Sequence, residues 1–111
     1  MASEKRFENK IKEYLKEKGC WNVKFFANRM TKVGVPDIIA CVNGRFVGIE
    51  VKAENGRPSE LQLWNQKEIR KSNGISVIAY PEQWDELKKL IDKLLEEPTI
   101  KNTSQTKFDR R

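Results

Sequence analysis

Not one histidine occurs among the 111 residues of this chain. That absence excludes histidine general bases, Ser-His-Asp triads and His-ligated zinc or iron. Cysteine is scarce as well. Cys20 and Cys41 lack metal-ligand spacing, so two reduced thiols in a cytosolic protein are expected. No run approaches the roughly 18 apolar residues of a membrane span. The start Met1-Ala2-Ser3-Glu4-Lys5 has no apolar h-region, so no secretion signal is expected. A second sizeable domain does not fit this length. Any metal would be a hard cation held by carboxylates.

What is present is enough apolar residue for one core, 38%, in a shell that is 34% charged. Lys+Arg number 22 against 16 Asp+Glu, for a net +6, which suits a polyanionic partner. The excess is uneven. Residues 20–81 hold nine basic and five acidic side chains, residues 82–97 three and six, and residues 98–111 four and one.

Residues 4–18 read as a helix, with Phe7, Ile11, Tyr14 and Leu15 at helical spacing and Gly19 as its stop. Residues 21–28 suit a strand, and residues 29–36 a loop. Residues 37–42, short and β-branched, suit a buried strand. Asn43-Gly44 is a two-residue hairpin signal, and residues 45–53 return as its partner. Ser59 with Gln62 forms a capping-box pattern that opens a helix to about residue 72. Residues 75–80 form another buried strand, and residues 82–96 a helix with Trp84, Leu87, Leu90, Ile91, Leu94 and Leu95 on its apolar face. The polar stretch 98–111 reads as a flexible tail beside a domain of residues 1–97. The order α-β-β-β-α-β-α predicts an α/β fold with a mixed central sheet flanked by helices.

One constellation carries chemistry. Counting outward from the 43/44 turn, Asp37 falls opposite Glu50, which puts two carboxylates about 4.5–5.5 Å apart at their β-carbons. Like charges so placed are destabilising unless neutralised, and a bound Mg²⁺ would do that. Lys52 lies two residues along on the same face as Glu50. An ammonium there can orient an attacking water and stabilise charge in the transition state of phosphoryl transfer. The bland reading, three solvated charges, sits poorly with strands that are otherwise apolar on both faces.

Gly34-Val35-Pro36-Asp37, twelve intervening residues, then Glu50-Val51-Lys52 resembles the motif of the PD-(D/E)XK nucleases. The stretch Gly56-Arg57-Pro58-Ser59-Glu60-Leu61-Gln62-Leu63-Trp64 and the later Ser72-Asn73-Gly74-Ile75 resemble the VRR-NUC branch of that superfamily. The resemblance spans about residues 8–95. It implies a restriction-endonuclease-like core of α-β-β-β-α-β plus a C-terminal helix. It also implies Mg²⁺ or Mn²⁺ on Asp37, Glu50 and the Val51 carbonyl, and catalysis by Asp37, Glu50, Lys52 and Gln62. Gln62 can serve both the site and the capping box. Superfamily members often add an acidic residue from the first helix. Glu8, beside the apolar stripe, is the best match, ahead of Glu4 and Glu13.

Lys24, Arg29, Lys32, Arg45 and Arg57 cluster in sequence around this motif as candidate phosphate contacts. No base-reading motif is evident, so structure-selective cleavage of branched or four-way-junction DNA is expected. Phe25, Phe26 and Trp21 could stack on unpaired bases, but their strand spacing favours the core. The small stand-alone nucleases of this branch tend to be homodimers of phages and bacteria. The resemblance therefore implies a dimer in the cytoplasm of a bacterial or phage-infected cell. The alternatives are a Holliday-junction resolvase of the archaeal type, which shares the motif, a catalytically silent nucleic-acid-binding domain, and a restriction-type nuclease.

Overall fold

The computed structural model describes residues 2–26, 34–99 and 103–110. In chain order they form α1 (Ala2–Glu17), β1 (Trp21–Lys24), β2 (Ile38–Val42), β3 (Arg45–Val51), α2 (Glu60–Lys71), β4 (Ile75–Ala79) and α3 (Trp84–Glu96). Short 3-10 turns occur at Pro81–Gln83 and Ser104–Phe108. This is the order expected from the sequence.

Each boundary has a local cause. α1 closes with paired bonds, the Cys20 amide donating to Leu15 O at 2.8 Å and the Gly19 amide to Lys16 O at 3.0 Å. The hairpin turn has positive φ at both Asn43 (51°) and Gly44 (82°), which matches its twist to that of the flanking strands. α2 opens on a complete capping box. The Gln62 amide donates to Ser59 Oγ at 3.1 Å and the Ser59 amide to Gln62 Oε1 at 2.8 Å.

The four strands lie in the order β1-β2-β3-β4. β1–β2 and β2–β3 are antiparallel, and β3–β4 is parallel, with α2 as the crossover between them. Strand parity sorts the residues. Ile38, Ala40, Val42, Val47, Ile49, Val51 and Ala79 turn to one face, where Phe7, Ile11 and Leu15 of α1 and Leu87, Ile91 and Leu94 of α3 complete the core. The other face is packed by α2 over β4, where Gln66 and Arg70 donate to Ser76 O.

That second face corrects one expectation. Trp21 and Phe26 are not core residues. They are 63% and 73% exposed, and only Phe25 is half-buried. β1 is an edge strand, and Trp21 and Val23 project from the side of it that α1 does not cover. β1 is also shorter than expected. It ends at Lys24, and residues 27 and 28 lie outside the described residues. Residues 103–110 are exposed throughout. Among the described residues no helix is long and apolar enough to cross a membrane.

Candidate active site

The register Val42↔Arg45 through Ile38↔Ile49 projects one step further to Asp37 opposite Glu50. Asp37 itself stands just before β2, at the sheet end where β1 and β3 finish. Three contacts hold it there. Its backbone carbonyl accepts from the Phe25 amide at 2.7 Å. Its Oδ2 accepts from the Val51 amide at 2.8 Å. Lys24 Nζ stands 3.5 Å from its Oδ1.

The residues before Asp37 are shaped for close approach. Gly34 has φ +83°, and a β-carbon there would meet the Leu61 carbonyl carbon at 2.7 Å. Buried Pro36 lies over Gly48, where a β-carbon would meet Pro36 Cγ at 2.8 Å. The Gly-x-Pro-Asp sequence therefore wedges the chain between α2 and the sheet and delivers Asp37 to the end of β2.

Glu50 is 6% exposed. Its Oε2 accepts from Gln62 Nε2 at 2.6 Å and lies 3.4 Å from Lys52 Nζ. Its Oε1 is buried with no hydrogen-bond partner among the described residues. Burial pushes the Glu50 carboxyl up to about 7, and the Asp37 charge adds to the rise against the opposing pull of Lys52. The Val51 amide points to Asp37, so its carbonyl belongs to the same strand edge. The Lys52 amide turns the other way, to Ala79 O at 3.0 Å. Asp37, Glu50, Val51, Lys52 and Gln62 are thus brought together by one hairpin and the first turn of one helix.

Glu8 reaches the same sheet end from α1 and is 5% exposed. Its Oε1 accepts from Lys24 Nζ at 2.8 Å, while Lys12 and Lys5 stand 3.5 Å and 3.6 Å from its Oε2. Burial alone would raise its carboxyl, but the Lys24 hydrogen bond and the charges of Lys24, Lys5 and Lys12 outweigh burial and hold it below the ordinary value. For Lys24, burial works against the charged form, but the Glu8 hydrogen bond and the Asp37 charge raise it above the usual lysine value. Glu4 Oε2 accepts from the Ala53 amide at 3.2 Å, at the end of β3.

The basic residues separate. Lys24 is spent on Glu8 and Asp37 and is 19% exposed at its side chain. The strand alternation that pairs Lys24 with inward-facing Ile38 is the signal that could have found this. Arg45 lies at the opposite end of the hairpin, where it donates to Asn73 O at 3.1 Å and stands 3.7 Å from Glu97. Arg57 is exposed on the loop between Lys52 and α2. Arg29 and Lys32 lie outside the described residues.

The donor chemistry fits a hard divalent cation, because the Asp37 and Glu50 carboxylates face each other and two buried carboxylate oxygens among the described residues, Glu50 Oε1 and Glu8 Oε2, lack a hydrogen-bond donor, although Lys5 and Lys12 stand near the latter. Among the described residues, no group of three or more acidic or cysteine side chains is gathered at one point. A hollow of about 920 Å³ beside α1 and β1, lined by Lys12, Lys16, Cys20 and Asn22 among others, includes none of the motif residues.

Compared with known families, residues 2–93 match the model described as archaeal Holliday junction resolvase (Hjc). The mixed four-stranded sheet with its helices is consistent with the restriction-endonuclease-like fold. No curated protein and no solved structure matches the chain.

Proposed function

The chain belongs to the archaeal Holliday junction resolvase family, which is a PD-(D/E)XK-type nuclease family, and from that premise we propose that it is a Mg²⁺- or Mn²⁺-dependent endonuclease that hydrolyses phosphodiester bonds of four-way-junction DNA. The match is to the archaeal resolvases. The narrower VRR-NUC likeness rests on residues 56–64, Gln62 among them, and on Ser72-Asn73-Gly74-Ile75. The observation that carries the metal-dependent reading is Glu50, a buried carboxylate that faces Asp37, keeps one oxygen unbonded and has a carboxyl raised to about 7. A group so placed is stabilised as an anion once a cation is supplied.

In this reading Asp37, Glu50 and the Val51 carbonyl would hold the cation, which when bound supplies Lewis-acid stabilisation of the scissile phosphate. Lys52 stands beside Glu50 and orients the attacking water while offsetting negative charge on the phosphoryl oxygens. Gln62 fixes the Glu50 rotamer through its 2.6 Å bond, and its own position is fixed by Ser59. Arg57 on the adjoining loop would contact flanking phosphates, as would Arg29 and Lys32 from the segment before Asp37. Arg45, at the other end of the hairpin, would reach only a remote part of the DNA.

The exposed side chains Leu61, Leu63 and Trp64 on α2, with Trp21, Val23 and Phe46 on the sheet, support a homodimer. A two-fold pair would present two centres to the symmetric strands of a junction.

The test is cleavage of linear duplex, flap, splayed-arm and four-way-junction DNA with Mg²⁺, Mn²⁺ or EDTA. Metal-dependent nicking of the junction, lost in Asp37→Ala and Lys52→Ala, is expected. Absence of metal-dependent cleavage on every substrate rejects the enzyme reading. Equal cutting of linear and branched DNA rejects junction selectivity.

A further inference from the structure

Among the described residues Lys24, like Lys52, has its charge turned inward, but on the α1 side of the site. Its ammonium lies between two carboxylates from different elements, 2.8 Å from Glu8 Oε1 on α1 and 3.5 Å from Asp37 Oδ1 before β2. Its side chain is 19% exposed, and the ring of Phe26 lies over it with the centroid 5.8 Å from Nζ. Asp37 therefore uses its two oxygens differently. Oδ1 faces the ammonium, and Oδ2 is held by the Val51 amide on the Glu50 side.

We propose that the Lys24 ammonium fills the place between Glu8 and Asp37 that a second divalent cation would otherwise take, so that this centre binds a single metal ion, on Asp37 and Glu50. The inference rests on the metal-dependent reading above. Two carboxylates directed at one point from separate elements are a usual basis for a Mg²⁺ or Mn²⁺ site, with oxygens about 2.0–2.1 Å from Mg²⁺. Here a lysine stem that enters from the neighbouring strand already occupies that point. An ammonium is a compact charge with three donors, so it can bond Glu8 and approach Asp37 together. Unlike an ion, it is covalently tethered and cannot be lost to a chelator. A divalent ion placed beside it would meet a positive charge at short range in a half-buried setting, where screening is weak. Lys5 and Lys12, on the Glu8 Oε2 side, reinforce that repulsion. Lys24 is thus a positioning residue. It sets the metal stoichiometry and the orientation of Asp37 and does not touch the reacting atoms.

The measurement is Mn²⁺ binding to the DNA-free 111-residue chain, with free Mn²⁺ followed by electron paramagnetic resonance. One Mn²⁺ per chain is expected for the unaltered protein. Lys24→Met, which keeps the apolar stem and removes the charge, is expected to bind two. The double variant Glu8→Gln/Lys24→Met is expected to return to one, since the second ion then lacks a ligand. Thermal melts confirm that each variant is folded before binding is scored. If Lys24→Met is unfolded, Lys24→Gln takes its place, with the same expectation. Two Mn²⁺ ions on the unaltered protein, or one on both it and the folded Lys24 variant, overturns the inference while leaving the nuclease reading intact. No Mn²⁺ on any folded variant overturns the metal-dependent reading, and the inference with it.

Discussion

Two carboxylates stand on either side of Asp37 in opposite electrostatic conditions. Glu8 and Glu50 are almost equally buried, at 5% and 6% exposure. Glu8 is surrounded by three lysines and held below the ordinary carboxylate value. Glu50 has one lysine at 3.4 Å, faces the Asp37 charge, and is raised to about 7. Burial pushes both carboxyls up, and the three lysines around Glu8 reverse that push where Lys52 beside Glu50 does not. The α1 side is already neutralised by the chain's own cations, whereas the α2 side is short of positive charge. The charge deficit of the candidate site lies on the side where the proposed cation would enter.

The contrast can be broken by substitution. The largest effect is expected from Glu50→Gln, which removes the undercompensated anion. Junction cleavage should fall by at least about 1000-fold, the equivalent of several kcal/mol of transition-state stabilisation, as read by single-turnover nicking. Lys52→Met should lower the single-turnover rate by about 100-fold or more, with junction binding in a gel-shift assay nearly unchanged. Gly34→Ala should cost about 1–3 kcal/mol of stability from its left-handed backbone alone, with more from the clash at Leu61, and should lower cleavage because Asp37 is displaced. Denaturant unfolding beside a cleavage assay checks it. Ser59→Ala should cost about 1 kcal/mol in the same unfolding measurement and loosen Gln62, with a smaller loss of activity.

pH sharpens the contrast further. The Glu50 carboxyl is raised in the folded state. Its contribution to metal-free stability is complete below the unfolded carboxylate value and is lost as pH rises through about 7. Glu8 is lowered, so its contribution is complete above the unfolded value and is lost on acidification. In melting profiles Glu50→Gln should accordingly become more stable than the unaltered protein as pH rises through about 7, whereas Glu8→Gln should be less stable than it at neutral pH and converge with it on acidification. Matching deviations would remove the asymmetry on which the comparison rests.

Much of this site is legible in the sequence because it depends on counting. Asn43-Gly44 fixes the pairing, and pairing sets Asp37 opposite Glu50 with Lys52 on the same face as Glu50. Gln62 is legible through the capping box. Lys24 is harder, because in sequence it is one basic residue among several. Strand alternation with Ile38 puts it on the inward face, but which partner it meets there depends on how α1 crosses the edge strand, and no local pattern encodes that crossing. Exposure of Trp21 and Phe26 is hidden for a related reason. Strand periodicity tells which residues share a face, but not which faces remain uncovered.

The same counting bears on how this chain can change length over evolution. Asn43 ties the turn to the C-terminal end of α3, donating to Leu94 O and Glu97 O at 2.8 Å each. The hairpin is anchored at the turn and carries its acidic pair at the opposite end. A single-residue insertion or deletion between positions 38 and 49 would move Asp37 or Glu50 to the wrong side of its strand, even with every side chain of the motif retained. The segment between Lys52 and Ser59 has no such parity to keep. Length variation among viable descendants should therefore collect there and be purged from the hairpin.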